Sequence, residues 1–102
     1  PWAGSEYHPP MNALTITHRP EQHTFEAIVE GQRCVADYRR QGQVVHLHHT
    51  YVPSALGGRG IAAQLVEAAL GWIRSEGLRL APDCSYVAVY VKRHAQWQDL
   101  LA

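Results

Sequence analysis

The feature that most constrains this chain is a change in hydrophobic period at Pro53. Upstream, Phe25, Ala27 and Val29 occupy alternate positions, a pattern typical of strands that bury one face. Downstream, apolar residues recur from Ile61 at helical spacing, and the stretch is rich in Ala and Leu. Because a strand that leads through a helix to another strand needs a crossover, we expect a mixed sheet with that helix on one face.

Turn residues divide the rest of the chain into elements. We predict four antiparallel strands, the first from Asn12 and the others over residues 24–29, 33–39 and 43–52, with turns at Gly31-Gln32 and Gln41-Gly42. A helix is predicted over residues 60–76 with Gly77 as its cap, followed by a strand over 78–81 that ends at Pro82. A short helix is expected from Asp83 or Ser85 to Val91, and a last helical turn over 96–101.

The fold class that follows is α+β. It has a mixed, mostly antiparallel sheet, one long helix packed on it and a short helical C-terminal tail. We expect residues 1–11 to be a loose leader and residues 12–102 to form one domain, since 102 residues suit a single core.

Composition limits the partners of this domain. Its formal net charge is zero, which gives no whole-domain attraction to nucleic acid or to an anionic membrane, so we expect neither partner.

No apolar stretch reaches the length of a transmembrane helix, and no signal-peptide pattern is visible. Cys34 and Cys84 are too few for a disulfide framework, which favours a reducing, cytoplasmic location. The sequence does not specify an oligomeric state.

Three glycines, Gly57, Gly58 and Gly60, lie between the fourth strand and the long helix. Glycine allows a tight turn and a close approach of ligand to backbone. The amides at a helix N-terminus suit a diphosphate, and Arg59 adds a cation. We therefore expect free backbone amides between Leu56 and Ala62, although a connection without a ligand fits the glycines equally well.

Two other nucleotide motifs compete for this segment. Gly58, Gly60 and Ala63 match the G-x-G-x-x-A dinucleotide pattern, and Asp83 stands near where a ribose-binding acid would follow. However, residues 53–57 separate the strand from Gly58, and the preceding strands form hairpins. The absence of a Gly-Lys-Ser/Thr run excludes a Walker A loop.

Two separate blocks of sequence resemble the GNAT superfamily of N-acetyltransferases. They are Val52-Pro53 with Gly58-Arg59-Gly60-Ile61-Ala62 and Leu65-Val66, and Ala81-Pro82-Asp83-Cys84-Ser85-Tyr86-Val87 with Tyr90 and Arg93-His94. Together with His49-Thr50 they are similar to the small GNAT-like subfamily of predicted acetyltransferases, from about His23 to Leu101.

The resemblance implies a shortened GNAT fold whose splayed fourth strand and glycine loop bind acetyl-CoA. It also implies transfer of the acetyl group to an amine acceptor, which the sequence does not identify. The cofactor-binding residues are then Val52, Gly57, Gly58, Arg59, Gly60, Ile61, Ala62, Ser85, Tyr90 and Arg93.

Acetylation of an amine needs a base, because a lysine-like amine is almost wholly protonated near neutral pH. Tyr51 stands where the family often has an acid after the His-Thr pair, so His49 is our candidate base. The alternative is that His46, His48 and His49 are ordinary strand histidines. No nearby Asp, Glu or Cys completes a zinc pattern with them or with His94, and we predict no metal.

Cys84 and Tyr86 are the other catalytic candidates. Cys84 precedes a predicted helix, whose dipole favours a thiolate, so it could carry an acetyl group or could simply be a small packed thiol. Tyr86 lies one helical turn from Tyr90 and could protonate the leaving thiolate, or the pair could serve packing alone. The rival function is a non-catalytic acyl-CoA-binding or regulatory module on the same fold.

Overall fold

A computed structural model describes residues 14–102. Within that range the strands are β1 Thr17–Arg19, β2 Thr24–Val29, β3 Gln32–Gln41, β4 Val44–Tyr51 and β5 Arg79–Ala81. The α-helices are α1 Ile61–Ser75 and α2 Ser85–Arg93, and 3₁₀ turns cover Pro20–Gln22, Ser54–Leu56 and Ala95–Leu100. The predicted leader over residues 1–11 and the predicted strand start at Asn12 lie outside the described residues.

The strands lie side by side in chain order. Neighbours from β1 to β4 are antiparallel, and β5 runs parallel to β4 after the crossover through α1. The predicted mixed, mostly antiparallel sheet with a packed helix and a short helical tail is therefore confirmed.

The start of the sheet differs from the prediction. Leu14 and Ile16 pack against the core without being paired in a strand, and β1 begins only at Thr17. Pro20 then starts a 3₁₀ turn, a position that suits its fixed φ angle and missing N–H. Alternation alone thus placed the first strand too early.

The first hairpin turn also differs by one residue. Glu30 and Gly31 form the two-residue loop between β2 and β3 with φ of 52° and 77°. Positive φ at both central positions defines a type I′ turn, so Gly31 is the second central residue and the predicted Gly31-Gln32 turn is wrong. The second hairpin turn is also one residue later than predicted, at residues 42–43.

The sheet and the helices share one hydrophobic core, and α1 contributes more buried residues to it than α2 does. Its apolar stripe is buried against the sheet, and α2 adds Val87, Tyr90 and Val91 on the same face. At the end of α1, Gly77 has φ of 68°, Leu78 N–H donates to the Ile73 carbonyl, and Gly77 N–H donates to that of Arg74. This is a Schellman ending, and it confirms Gly77 as the predicted cap. The buried residues of the α1 stripe are Ile61, Leu65, Val66, Ala69, Leu70 and Ile73.

A β-bulge divides β4 into two halves. Asp37 of β3 is opposite His49, whereas Tyr38 is opposite Leu47, so His48 is the extra residue. Before the bulge Leu47 is fully buried in the core, and after it Val52 packs against the same core. The residues that face the helices are therefore odd-numbered before His48 and even-numbered after it.

The C-terminal end of the described chain returns to the sheet. Leu101 forms a parallel bridge with Leu80, and Ala102 N–H donates to the Leu80 carbonyl at 2.9 Å. Across residues 14–102, each helix is too short or too polar to cross a lipid bilayer.

Candidate functional site

The connection from β4 to α1 opens with an ordered 3₁₀ turn. Leu56 N–H donates to the Pro53 carbonyl at 2.9 Å, and Gly57 N–H donates to that of Ser54 at 3.0 Å. Leu56 is buried, which fixes the turn against the core. The expectation of a free amide at Leu56 and at Gly57 is therefore wrong, and any row of free amides begins one residue later.

From Gly58 onward the loop exposes backbone donors. Gly58 and Gly60 have φ of 79° and 75°, which L-residues with a Cβ rarely adopt. In residues 14–102, no acceptor is found for the amides of Gly58, Gly60, Ile61, Ala62 and Ala63. They lie at the N-terminus of a 15-residue helix, whose dipole adds positive potential. Such a terminus favours an anion.

Arg59 lies in the same loop, beside an acidic residue from another turn. Its Nη1 donates to Oε2 of Glu30 at 2.6 Å. Both side chains are largely exposed, at 46% and 60%, so solvent screens their attraction. Arg59 thus already contacts an anionic group, which a phosphate would have to displace.

The edge of β4 that faces β5 is paired over only a short length. The two strands pair at residues 44–46, and the Leu47 carbonyl then accepts from Cys84 N–H at 2.9 Å. Beyond that bond the chain after β5 turns into α2, while β4 continues to Tyr51. The strands therefore separate at Leu47, and a stretch of β4 backbone faces the opening.

A cleft of about 350 Å³ lies between the two α-helices. It borders the glycine loop, because Ala63 of the first turn of α1 is one of its lining residues. The helices contribute both charged and aromatic side chains to it. The lining residues are Ala63, Glu67, Tyr86, Val89, Tyr90, Arg93 and His94.

Tyr90 organises the floor of this cleft. Its hydroxyl donates to Oε2 of Glu67 at 2.6 Å, and its ring stacks on His94 with centroids 3.9 Å apart. Burial and the adjacent Glu67 carboxylate raise the pKa of the Tyr90 phenol well above its usual range. Tyr90 is consequently held as a neutral hydrogen-bond donor and is not suited to give up its proton.

Cys84 and Tyr86 lie at the start of α2. Cys84 is half-buried, with its Sγ 3.8 Å from Oγ1 of Thr50 across the opening between β4 and β5. The Tyr86 ring is 40% exposed in the cleft, and burial raises the pKa of its phenol. Tyr86 is therefore a protonated phenol near neutral pH, and both groups border the region where the strands separate.

His49 is on the other face of the sheet. Thr50 reaches Cys84 on the helix side, and successive strand residues point to opposite faces, so His49 points away from Cys84. Among the described residues, neither His48 nor His49 has a hydrogen-bond partner for its side chain. The structure therefore does not bring the predicted base together with the predicted thiol.

Several contacts of this region were not anticipated from the sequence. Glu67 accepts a hydrogen bond from Tyr90, and Glu30 accepts one from Arg59. His46 Nδ1 lies 2.8 Å from Oδ2 of Asp83. No local pattern signals these pairs, since each joins residues far apart in the chain. Within the described part of the chain, no three His, Cys, Asp or Glu side chains form a group that could hold a metal ion.

Comparison with known proteins identifies the family. Residues 24–100 match the sequence profile of the GCN5-related N-acetyl-transferases. The NATD1 protein of Xenopus tropicalis is 34% identical over 88 residues, covering 83% of this chain and 81% of its own length. Human NATD1 is 36% identical over 84 residues, covering 79% of this chain and 74% of its own. The chain therefore belongs to the GCN5-related N-acetyltransferase family.

The fold agrees with this assignment. A solution structure of a protein from Staphylococcus aureus, described as GCN5-like, superposes with a TM-score of 0.71 at 22% sequence identity. The match covers 87% of this chain and 88% of the other. The expected GNAT-like fold is thus confirmed.

Proposed function

We propose that this domain binds acetyl-CoA and transfers its acetyl group to the amino group of an acceptor. Acetyl-CoA supplies an activated thioester, and the protein must hold its diphosphate, orient its thioester and admit a deprotonated amine. The single observation that carries the proposal is the set of free amides at Gly58 and at residues 60–63, beside a cleft between the helices.

The site fits a diphosphate attached to an extended chain. Backbone donors at the start of α1 provide several hydrogen bonds to an anion, and charge-assisted bonds of this kind are the strong ones. Arg59 adds positive charge at the loop, and Arg93 adds it at the cleft. The free edge of β4 offers amide and carbonyl groups to the amides of a pantetheine arm, as a neighbouring strand would.

The remaining predicted cofactor residues have distinct parts in this proposal. The Ile61 side chain is buried in the core, so this residue contributes its amide alone. Val52 extends the β4 backbone, Ala62 donates beside Ile61, and Ser85 offers an exposed hydroxyl at the start of α2. Tyr90 forms the floor of the cleft, and Gly57 leads in extended backbone to the free amide of Gly58.

Cys84 and Tyr86 are proposed to act at the thioester. In one route the Cys84 sulfur attacks the acetyl carbon, a new C–S bond forms, and the bond to the CoA sulfur breaks as the Cys84 proton passes to the departing thiolate. In the other route the amine attacks directly, and Tyr86 donates the proton to that thiolate. His49 is the base that the sequence favours for the amine, on the outer face of β4.

Calorimetric titration of the purified protein with acetyl-CoA tests the proposal, paired with an assay of acetylated product on a panel of primary amines. We expect binding and turnover. Binding without any product would instead favour the acyl-CoA-binding module, and a failure to bind would refute the assignment of the glycine loop.

Mass spectrometry separates the two routes. After incubation with acetyl-CoA and no amine, the first route predicts acetyl on Cys84 and none on Cys34. Cys34 is a built-in control, because it is fully buried and burial raises the pKa of its thiol. An unmodified Cys84 in protein that turns over would leave direct transfer as the mechanism.

A further inference from the structure

His46 and Asp83 form a hydrogen-bonded pair where β4 and β5 separate. His46 Nδ1 is 2.8 Å from Oδ2 of Asp83, across 37 residues of sequence. The side chains are 19% and 42% exposed, so the imidazole is partly shielded and still accessible. Main-chain bonds fix the loop on both sides of Asp83, since Asp83 N–H donates to the Ala81 carbonyl and Cys84 N–H to that of Leu47.

The pair fixes the tautomer of His46. An ionised carboxylate only accepts hydrogen bonds, so the Nδ1 atom must carry the proton. In the neutral ring Nε2 then carries the lone pair and can take a proton from another group. A carboxylate that holds one imidazole nitrogen while the other accepts a proton is the usual arrangement of a histidine base.

The pair also lies on the outer face of the sheet, away from the helices. His46 is one residue from Val45 and from Leu47, which are fully buried towards the helices, so His46 points to the outer face. The amides of the glycine loop and the cleft lie on the helix side. On the proposed function, a second substrate reaches a thioester held there from the outer face, through the opening that begins at Leu47, next to His46.

We propose that His46 is the general base for the acceptor amine and that Asp83 positions it. This inference rests on the proposed function. The ammonium group of the acceptor transfers one proton to Nε2 of His46. Its nitrogen then forms a bond to the acetyl carbon, and the bond from that carbon to sulfur breaks. Tyr86 protonates the departing thiolate, and the second nitrogen proton restores the Tyr86 hydroxyl. His46 releases its proton to solvent before the next cycle.

His46 suits this role better than the other histidines of β4. Neither His48 nor His49 has a side-chain partner among residues 14–102 that would fix its tautomer. The charged and titratable groups around His46 are Arg39, opposite it on β3, Arg79 two residues before Ala81 on β5, Asp83 after β5, and His48 two residues on along β4. Arg79 is engaged with the Asp99 carbonyl, and Asp83 is the group that contacts the ring.

The test is a pH profile of kcat/KM for acetylation of a primary amine that the wild-type protein accepts. The variants are His46→Gln, His49→Gln, Asp83→Asn and Asp83→Glu, with His48→Gln as the matched exposed control. Acetyl-CoA affinity is measured for each by calorimetry, because the pair lies outside the cofactor cleft and its loss should leave Kd unchanged.

We expect His46→Gln to lower kcat/KM by about 10²- to 10⁴-fold and to abolish the rise of the profile between acidic and neutral pH. Asp83→Asn should lower it by about 10- to 100-fold. Asp83→Glu keeps a carboxylate and should recover part of that loss. A purely structural role would reduce thermal stability or raise Kd and leave the rise of the profile in place.

Each outcome separates the two proposals. Wild-type protein that makes no product refutes the proposed function, and the base with it. Wild-type turnover with an unaltered profile in His46→Gln refutes only the role of His46. A loss confined to His49→Gln would return the base to His49, and a loss in His48→Gln equal to that in His46→Gln would refute the specific pairing.

Discussion

The glycine loop permits a test that separates backbone strain from ligand contact. Gly60 and Gly77 flank the same helix, and both are left-handed, with φ of 75° and 68°. A Cβ built at either position meets no described atom within 4 Å, so an Ala there adds no clash. Each substitution therefore carries the same cost of left-handed backbone, about 1–2 kcal/mol. In a domain of this size, Tm should fall by about 4–8 °C for each kcal/mol lost.

The two variants should differ only in binding. Gly60→Ala places a methyl group and a strained backbone among the free amides at Gly58 and residues 60–63, whereas Gly77→Ala lies at the opposite end of α1. Loss of one charge-assisted hydrogen bond costs about 1.5–3 kcal/mol, or about 10- to 150-fold in Kd. Calorimetry with acetyl-CoA should detect this for Gly60→Ala alone. Equal Kd values for the two variants, at matched losses of Tm, would refute the role of the loop.

Three further predictions concern the Arg59–Glu30 ion pair, His18 and Tyr90. Glu30→Gln removes one competitor for Arg59 and should tighten acetyl-CoA binding by up to about fivefold, measured by calorimetry, since an exposed pair is worth about 0.2–1 kcal/mol. An unchanged Kd would contradict this. Burial lowers the pKa of the His18 imidazole in the folded state. The stability that its neutral ring contributes is therefore complete above pH 6.5 and is lost as the pH falls through the lowered pKa. The urea unfolding midpoint of His18→Phe should accordingly fall less than that of the wild type as the pH is lowered. An equal fall in the two proteins would contradict the destabilising protonation of His18. Tyr90→Phe should lower the free energy of unfolding by about 1 kcal/mol, because the hydrogen bond to Glu67 is lost. Because the folded-state pKa of Tyr90 is raised, wild-type stability should fall as pH rises above 10, and the Phe variant should show a smaller fall in alkaline urea titrations.

The long helix and the antiparallel strands before it could be predicted because their signals are local. The apolar spacing from Ile61 to Ile73 and the cap at Gly77 are written in consecutive residues, and the observed helix, Ile61–Ser75, differs from the prediction by one residue at each end. The type I′ turn at Glu30-Gly31 was misplaced by one residue because Glu30 adopts a conformation that glutamate seldom does.

The interior of the candidate site could be predicted only in part. The glycine loop was located by its composition, but the partners of its neighbours were not. Tyr90 and Glu67 are 23 residues apart in sequence, and His46 and Asp83 are 37 apart. Such pairs depend on how α2 lies against α1 and on where β5 ends, which no single segment encodes. The sequence therefore favours His49 as the base because of its position beside Thr50, whereas in the structure the Asp83 carboxylate contacts His46.

The extra residue in β4 makes this point of the strand tolerant to the loss of one residue. Without His48, His49 would follow Leu47 directly, and regular alternation would still direct Thr50 and Val52 towards the helices. Deletion of His48 would therefore remove the local bend of the bulge and leave the buried face of β4 intact. Deletion of His46 would instead place Val45 and Leu47 on opposite faces and expose one of two core residues.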